Sequence, residues 1–178
     1  TDISINIDPN NAIIIDDGND GNGLINPGEL VEINIPLRNF GSITSNNVQA
    51  ELETSSTNVS IINSEADYNN IDPDSWEIGS GFVLEINPST VNNENLHLKI
   101  NITDNSGEIW SSLVPLVVYG GDLTIQNYAY IEKNEISDVE ILIQNIGSQS
   151  VENLMGELYF SGNVLTVLDS EGLWGTIS

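Results

Sequence analysis

Glu29-Leu30-Val31-Glu32-Ile33-Asn34-Ile35-Pro36-Leu37-Arg38-Asn39 is the stretch that decides the fold class. In an extended chain Val31, Ile33, Ile35 and Leu37 fall on one face, and Glu32, Asn34, Pro36 and Arg38 on the other. A period of two is that of a strand with one side in a core and one in water. Pro36 has no N–H to give to a ladder, so it marks an edge or a bulge.

The same pattern extends in both directions. Upstream, Ile3, Ile5 and Ile7 alternate with polar partners before Pro9-Asn10-Asn11, and Ala12 to Ile15 is a short apolar run. Downstream, Phe40-Gly41-Ser42 turns the chain into Val48, Ala50 and Leu52, then Val59 to Ile62. A polar stretch runs through Asp72-Pro73-Asp74 and reads as a connection. Phe82, Leu84 and Ile86 follow, stopped by Asn87-Pro88. Leu96, Leu98, Ile100 and Ile102 lead into Asp104-Asn105-Ser106-Gly107, a turn, and Ile109 to Tyr119 returns as a partner strand. No helical stripe interrupts these runs. Evenly spaced short strands predict an all-β chain, an antiparallel immunoglobulin-like β-sandwich without the Cys-Trp-Cys core of antibody domains.

Composition narrows the function classes. The 178 residues carry 27 Asp+Glu against 3 Lys+Arg, a formal charge of −24. A surface of that sign offers nothing to displace counterions from phosphates, which argues against nucleic acid and against anionic membranes. Self-repulsion at this charge is relieved by salt or divalent cations, which suits a saline or calcium-containing exterior. Cysteine is absent, so disulfides, thiolate metal sites and cysteine nucleophiles are excluded. No apolar run approaches the length of a membrane span.

The chain also repeats. Asn39-Phe40-Gly41-Ser42 recurs as Asn145-Ile146-Gly147-Ser148, Glu51-Leu52 as Glu157-Leu158, and Ser64-Glu65 as Ser170-Glu171. Tyr68 and Ile71 correspond to Trp174 and Ile177. The offset is 106 throughout (145 − 39 = 106), the size of one sandwich, so tandem copies are expected rather than a solenoid. The expected organisation is residues 9–120 as one sandwich and 121–178 as a second, shorter repeat that ends before the counterparts of Phe82 and the 96–119 hairpin. Residues 1–8 are either the last strand of a preceding repeat or the first strand of this one, and the whole reads as a piece of a longer protein.

One stretch is chemically distinctive. Asp16 to Glu29, Asp-Asp-Gly-Asn-Asp-Gly-Asn-Gly-Leu-Ile-Asn-Pro-Gly-Glu, crowds carboxylates, amides and glycines into a loop between two strand-like runs. Ca²⁺ takes several oxygens from such a loop. The candidate ligands are Asp16, Asp17, Asn19, Asp20 and Asn22, with Glu29 closing the shell. The spacing is not that of an EF-hand. At the aligned position of repeat two stands Glu135, but the residues before it, Gln126 to Asn134, hold no Asp-Gly run. The ion is thus expected to reinforce the first repeat and not to be required by the fold. Catalysis finds little footing. His97 is the only histidine, alternates with Leu96 and Leu98 on the solvent side, and has no Cys to pair with. Carboxylates are plentiful, yet no pair stands out. Trp76 and Trp110 are the alternative ligand-binding residues, as platforms for sugar rings, against a packing role in the core.

Asp16-Asp17-Gly18-Asn19 through Asn26-Pro27-Gly28-Glu29, followed by Leu37-Arg38-Asn39-Phe40-Gly41 and Ile102-Thr103-Asp104-Asn105-Ser106-Gly107-Glu108-Ile109-Trp110, resembles a bacterial immunoglobulin-like repeat of CARDB-like pattern. The resemblance covers roughly Ile13 to Tyr119 and, more weakly, the second half. It implies an extracellular or cell-surface, non-catalytic spacer or adhesion module, of the kind found beside gingipain-like peptidase domains. Its partners would be neighbouring domains of the same polypeptide and a cell-surface or polysaccharide ligand. No peptidase activity carries over, since the catalytic Cys and His of such enzymes have no counterpart here.

Overall fold

The protein, seen in a computed structural model, is described at residues 2–16, 21–133, 136–159, 161 and 166–178, with the backbone alone at Ile14, Asp16, Lys133 and Ile136. It divides into two units, Thr1–Tyr119 and Gly120–Ser178. Among the described residues there is no helix, and every ladder between strands is antiparallel.

Unit one contains β1 (Ile5–Ile7), β2 (Ile14–Asp16), β3 (Leu30–Asn34), β4 (Pro36–Asn39), β5 (Ser45–Thr54), β6 (Val59–Asn63), β7 (Glu65–Ile71), β8 (Trp76–Ile78), β9 (Phe82–Ile86), β10 (Leu98–Thr103) and β11 (Ile109–Val114). They form three sheets, ordered β1-β4-β8, β2-β3-β9-β6 and β11-β10-β5-β7. Their inward residues share one core, consistent with a β-sandwich. The stretch from Val31 to Leu37 lies at its centre, with all four apolar residues fully buried. At about 1.5–3 kcal/mol for each such side chain, this face alone contributes a large share of the unit's stability.

Pro36 marks a break of a particular kind. The chain leaves one sheet at Asn34 and enters another at Pro36, and the freed Ile35 carbonyl accepts a hydrogen bond from the buried Tyr68 hydroxyl at 2.8 Å. Burial pushes the Tyr68 phenol well above its ordinary pKa, so it stays a donor. The first strand changes sheets too, between β1 and β2. At that corner Asp8 is buried and accepts from Asn10 N (2.9 Å) and from Asn11 Nδ2 (2.6 Å), while its own N–H donates to the Pro36 carbonyl. Within unit one β1 pairs with β4, Ile5 opposite Asn39 and Ile7 opposite Leu37.

The polar stretch expected as a connection is a correction to the sequence reading, because Glu65–Ile71 is a strand. Ala66, Tyr68 and Ile71 enter the core from it. The pattern was concealed by a small residue at one inward position and by a bulge, where Asn47 and Asn69 adopt positive φ. Asn tolerates that region better than most residues.

Unit two contains β12 (Leu123–Lys133), β13 (Ile136–Asn145), β14 (Val151–Glu157) and β15 (Glu171–Ile177), in the pairs β12-β13 and β14-β15. Its hydrogen bonds duplicate those of unit one 106 positions later. Asn39 Nδ2 donates to the Ile43 and Ile71 carbonyls, and its Oδ1 accepts from Gly41 N. Asn145 does the same with Gln149, Ile177 and Gly147. The β5–β7 register, Ser45↔Ile71 to Glu51↔Glu65, returns as Val151↔Ile177 to Glu157↔Glu171 with its irregularities at the same places. Asn153 and Gly175 take the positive φ of Asn47 and Asn69.

The packing compensates where residues differ. Trp174 stands at the position of Tyr68, and the cross-strand pair Ala50–Ala66 becomes Gly156–Gly172. A Cβ on Gly172 would lie 2.6 Å from Trp174 Cη2, and one on Gly156 2.8 Å from Cζ3, so the larger ring occupies the space of two methyl groups. Gly172→Ala is therefore expected to destabilise β14–β15 by about 1–3 kcal/mol through overpacking. Adding Trp174→Tyr should recover most of that loss. Amide hydrogen exchange of the two strands measures both, and simple additivity of the two changes would defeat this account.

Candidate metal centre

The acidic loop joins β2 to β3. In unit one Ile15 pairs with Ile33, 18 residues later, whereas in unit two Tyr130 pairs with Val139, nine residues later. The acidic segment is thus a nine-residue extension (18 − 9 = 9) of a connection that unit two makes short. Asp17, Asn19 and Asp20 lie outside the described residues, as does the side chain of Asp16, whose backbone ends β2 opposite Glu32. Glu135 also lies outside them.

The described part of the loop, from Gly21 to Glu29, is held by amides and one carboxylate. Asn22 Oδ1 accepts from Leu24 N at 2.6 Å, and its Nδ2 donates to Asn26 Oδ1 at 2.9 Å. Asn26 N donates to Glu29 Oε2 at 2.8 Å, and Asn26 Nδ2 to the Tyr119 carbonyl at 2.6 Å. Ile25 is buried, forms a parallel bridge with Val118, and accepts from Tyr119 N at 2.7 Å. Gly28, with φ +83°, makes the turn that brings Glu29 back against Asn26, and Gly28 N donates to the Ile86 carbonyl.

Asn22 and Glu29, two of the six candidate ligands, therefore converge on Asn26. Asn26 is not among the candidate ligands read from the sequence. Its role was signalled by Asn-Pro-Gly-Glu, since an Asn before a tight turn commonly bonds the neighbouring backbone. Carboxylate and side-chain amide oxygens such as these are the donors a hard cation takes. No group of three or more His, Cys, Asp or Glu suited to a metal occurs among the described residues.

The candidate aromatic platforms separate. Trp110 is half-buried, lies opposite Ile102 and packs against the core. Trp76 is 43% exposed on β8, opposite Arg38, whose guanidinium sits 5.6 Å above the Phe40 ring and 3.9 Å from Asp74. His97 is exposed.

Two carboxylates give the unit a pH dependence. The Asn10 N–H holds Asp8 below the usual carboxylate range against the opposing effect of burial, aided by Asn11 and the charge of Arg38. At Asp104 burial pushes upward but is outweighed by hydrogen bonds from Ser106 and Ser45, leaving it lowered as well. Stabilisation from groups depressed in the folded state is present above about pH 4 and is lost as pH falls through their folded values. Unit one is expected to lose stability below about pH 3.5. Urea titrations from pH 7 to pH 2 would show the loss, and stability that rises monotonically down to pH 2 would contradict it.

Compared with known proteins, the chain matches no protein-family model and no curated protein.

Proposed function

We propose that this chain is a non-catalytic, extracellular or cell-surface segment of two immunoglobulin-like modules, working as a spacer, stalk or adhesion element between other domains. The observation that carries the reading is the recurrence, 106 positions apart, of the Asn39 and Asn145 hydrogen bonds and of the β5–β7 register. A module used in series needs a transferable framework, and a buried asparagine that ties a turn to a strand end supplies one. The charge of −24 favours a surface in salt water and disfavours nucleic acid and anionic membranes. Among the described residues no helix is long and apolar enough to cross a membrane.

Ca²⁺ is the proposed structural ion, taken by the Asp16 to Glu29 extension. Asn22 and Glu29 would contribute from the described part of the loop, and Asp16, Asp17, Asn19 and Asp20 from the acidic run. A ligand bound only to the folded state raises its stability by RT ln(1 + [L]/Kd). Calorimetry in calcium and then in EDTA should lower the melting temperature of unit one and leave unit two unchanged. Coincident traces for unit one would remove the ion from the proposal.

A second reading is favoured by one observation. Trp76 is exposed on β8 opposite Arg38, and an exposed indole with a guanidinium across the strand can stack on a sugar ring and bond its hydroxyls. Glycan binding abolished by Trp76→Ala and retained in Trp110→Phe would turn the reading toward a carbohydrate-binding module.

A further inference from the structure

We infer that Asn22–Gly23 is a self-modification site. The Asn22 side-chain amide is lost as ammonia through attack by the Gly23 nitrogen, which leaves aspartate or isoaspartate in the extension between β2 and β3. The inference rests on neither the calcium nor the spacer reading.

The sequence singles out the position. Of the 25 asparagines in the chain, Asn22 alone precedes a glycine. A residue without Cβ is the least hindered neighbour for ring closure onto the asparagine side chain. Asn22 and Gly23 are both exposed, so water reaches the reacting atoms. Gly23 has φ +74°, and among the described residues nothing comes within 4 Å of where its Cβ would stand.

The hydrogen bonds set the geometry. Asn22 Oδ1 accepts from the Leu24 N–H at 2.6 Å. To reach an amide two residues on, the side chain must fold forward over the Asn22–Gly23 peptide, toward the nitrogen that attacks. The same N–H lies where charge develops on Oδ1 as the new bond forms, which is the place of a donor that stabilises an oxyanion. Asn22 Nδ2 donates to Asn26 Oδ1 at 2.9 Å, and Asn26 is itself tied to the Tyr119 carbonyl. The reacting amide is thus held at both its oxygen and its nitrogen, so little freedom is left to lose on the way to the ring.

The step needs only water to balance. Gly23 N gives up its proton to a solvent base and bonds to Asn22 Cγ. The Cγ–Nδ2 bond breaks, and Nδ2 leaves as ammonia with a proton from water. One water then opens the cyclic imide, at Cγ to give aspartate or at the main-chain carbon to give isoaspartate. One amide and one water become one carboxylate and one ammonium, which adds a negative charge to a chain already at −24. The product has lost the donor to Asn26, and isoaspartate also lengthens the backbone of the extension by one carbon.

The test incubates the full 178-residue chain in EDTA at mildly alkaline pH, in water enriched in heavy oxygen, and follows each asparagine by peptide mapping and mass spectrometry. Asn22 should convert at least about tenfold faster than any other asparagine, including Asn63 and Asn105, each followed by serine. Each converted chain should take up one heavy oxygen at residue 22, and part of the product should be a substrate for an isoaspartate methyltransferase. Conversion in the folded chain should equal or exceed that in the same chain unfolded in urea. Slower conversion in the folded chain would overturn the inference, since the loop would then protect the bond. Gly23→Ala should slow conversion by about tenfold or more, with amide exchange of β3 and β9 unchanged as the check that unit one is folded. An unaltered rate in that folded variant, or an Asn22 no faster than Asn63 and Asn105 in the parent, would overturn it as well.

Discussion

Asn39→Asp is expected to lower the stability of unit one by about 4 kcal/mol. Asn39 is fully buried. Its amide donates to the carbonyls of Ile43 at 2.8 Å and Ile71 at 3.0 Å, and its oxygen accepts from Gly41 N at 2.9 Å. The first two bonds join the turn after β4 to the end of β7, and the third shapes the turn itself. A carboxylate keeps only the third. It takes the donor from the buried Ile71 carbonyl and the part-buried Ile43 carbonyl and sets a negative charge against both. Asn39→Ala removes the same donors without adding charge, so a smaller loss of about 3 kcal/mol is expected. The equivalent Asn145→Asp should cost less than Asn39→Asp, because the apolar residues around it in unit two stay half-exposed and water can reach the freed carbonyls. Urea unfolding followed by fluorescence in a Trp174→Phe background isolates unit one. A change below about 1 kcal/mol for Asn39→Asp would show that the asparagine bonds are incidental.

That asparagine also marks how far the sequence could be read. The alternation from Val31 to Leu37 made the strand and its buried face plain, because period two has a single physical meaning when one face is apolar. The offset of 106 was equally visible. What Asn39 does was not, since an asparagine before Phe-Gly reads as a turn residue until the carbonyl of Ile71 is brought beside it. Strand β7 was hidden for a related reason, its inward positions being filled by Ala66 and Tyr68 and its alternation broken by a bulge. The difference between Tyr68 and Trp174 was legible as a substitution, but its compensation by Gly156 and Gly172 needs the pairing of β14 with β15. At the candidate metal centre the acidic run was obvious from composition. Its anchor was not, because Asn26 meets Tyr119 across most of the unit's length and no local pattern announces so distant a partner.

Glu29→Ala is expected to destabilise unit one by about 2–3 kcal/mol, and the comparison with Glu29→Gln decides what the residue is for. Glu29 is buried at 6% exposure, and its Oε2 accepts from Asn26 N at 2.8 Å. Alanine removes that acceptor, leaves a part-buried N–H to be satisfied elsewhere, and frees the segment that Ile25 and Asn26 hold against Val118 and Tyr119. Glutamine keeps an oxygen in the same place but carries no charge. If Glu29 serves the loop only as a hydrogen-bond acceptor, Glu29→Gln should cost less than about 1 kcal/mol in calcium and in EDTA alike. If the carboxylate also completes a cation shell, the glutamine variant should resemble the parent in EDTA and fall well below it in calcium, since an uncharged oxygen is a weaker ligand for a hard ion. The proposal of a structural Ca²⁺ requires the second result. Asn26→Ala breaks the bond to the Tyr119 carbonyl and the one from Asn22 Nδ2, and should lower stability in EDTA as well as in calcium. Equal costs for the alanine and glutamine variants in EDTA would mean that the bond to Asn26 N contributes nothing, and the anchoring role drawn from it would fall.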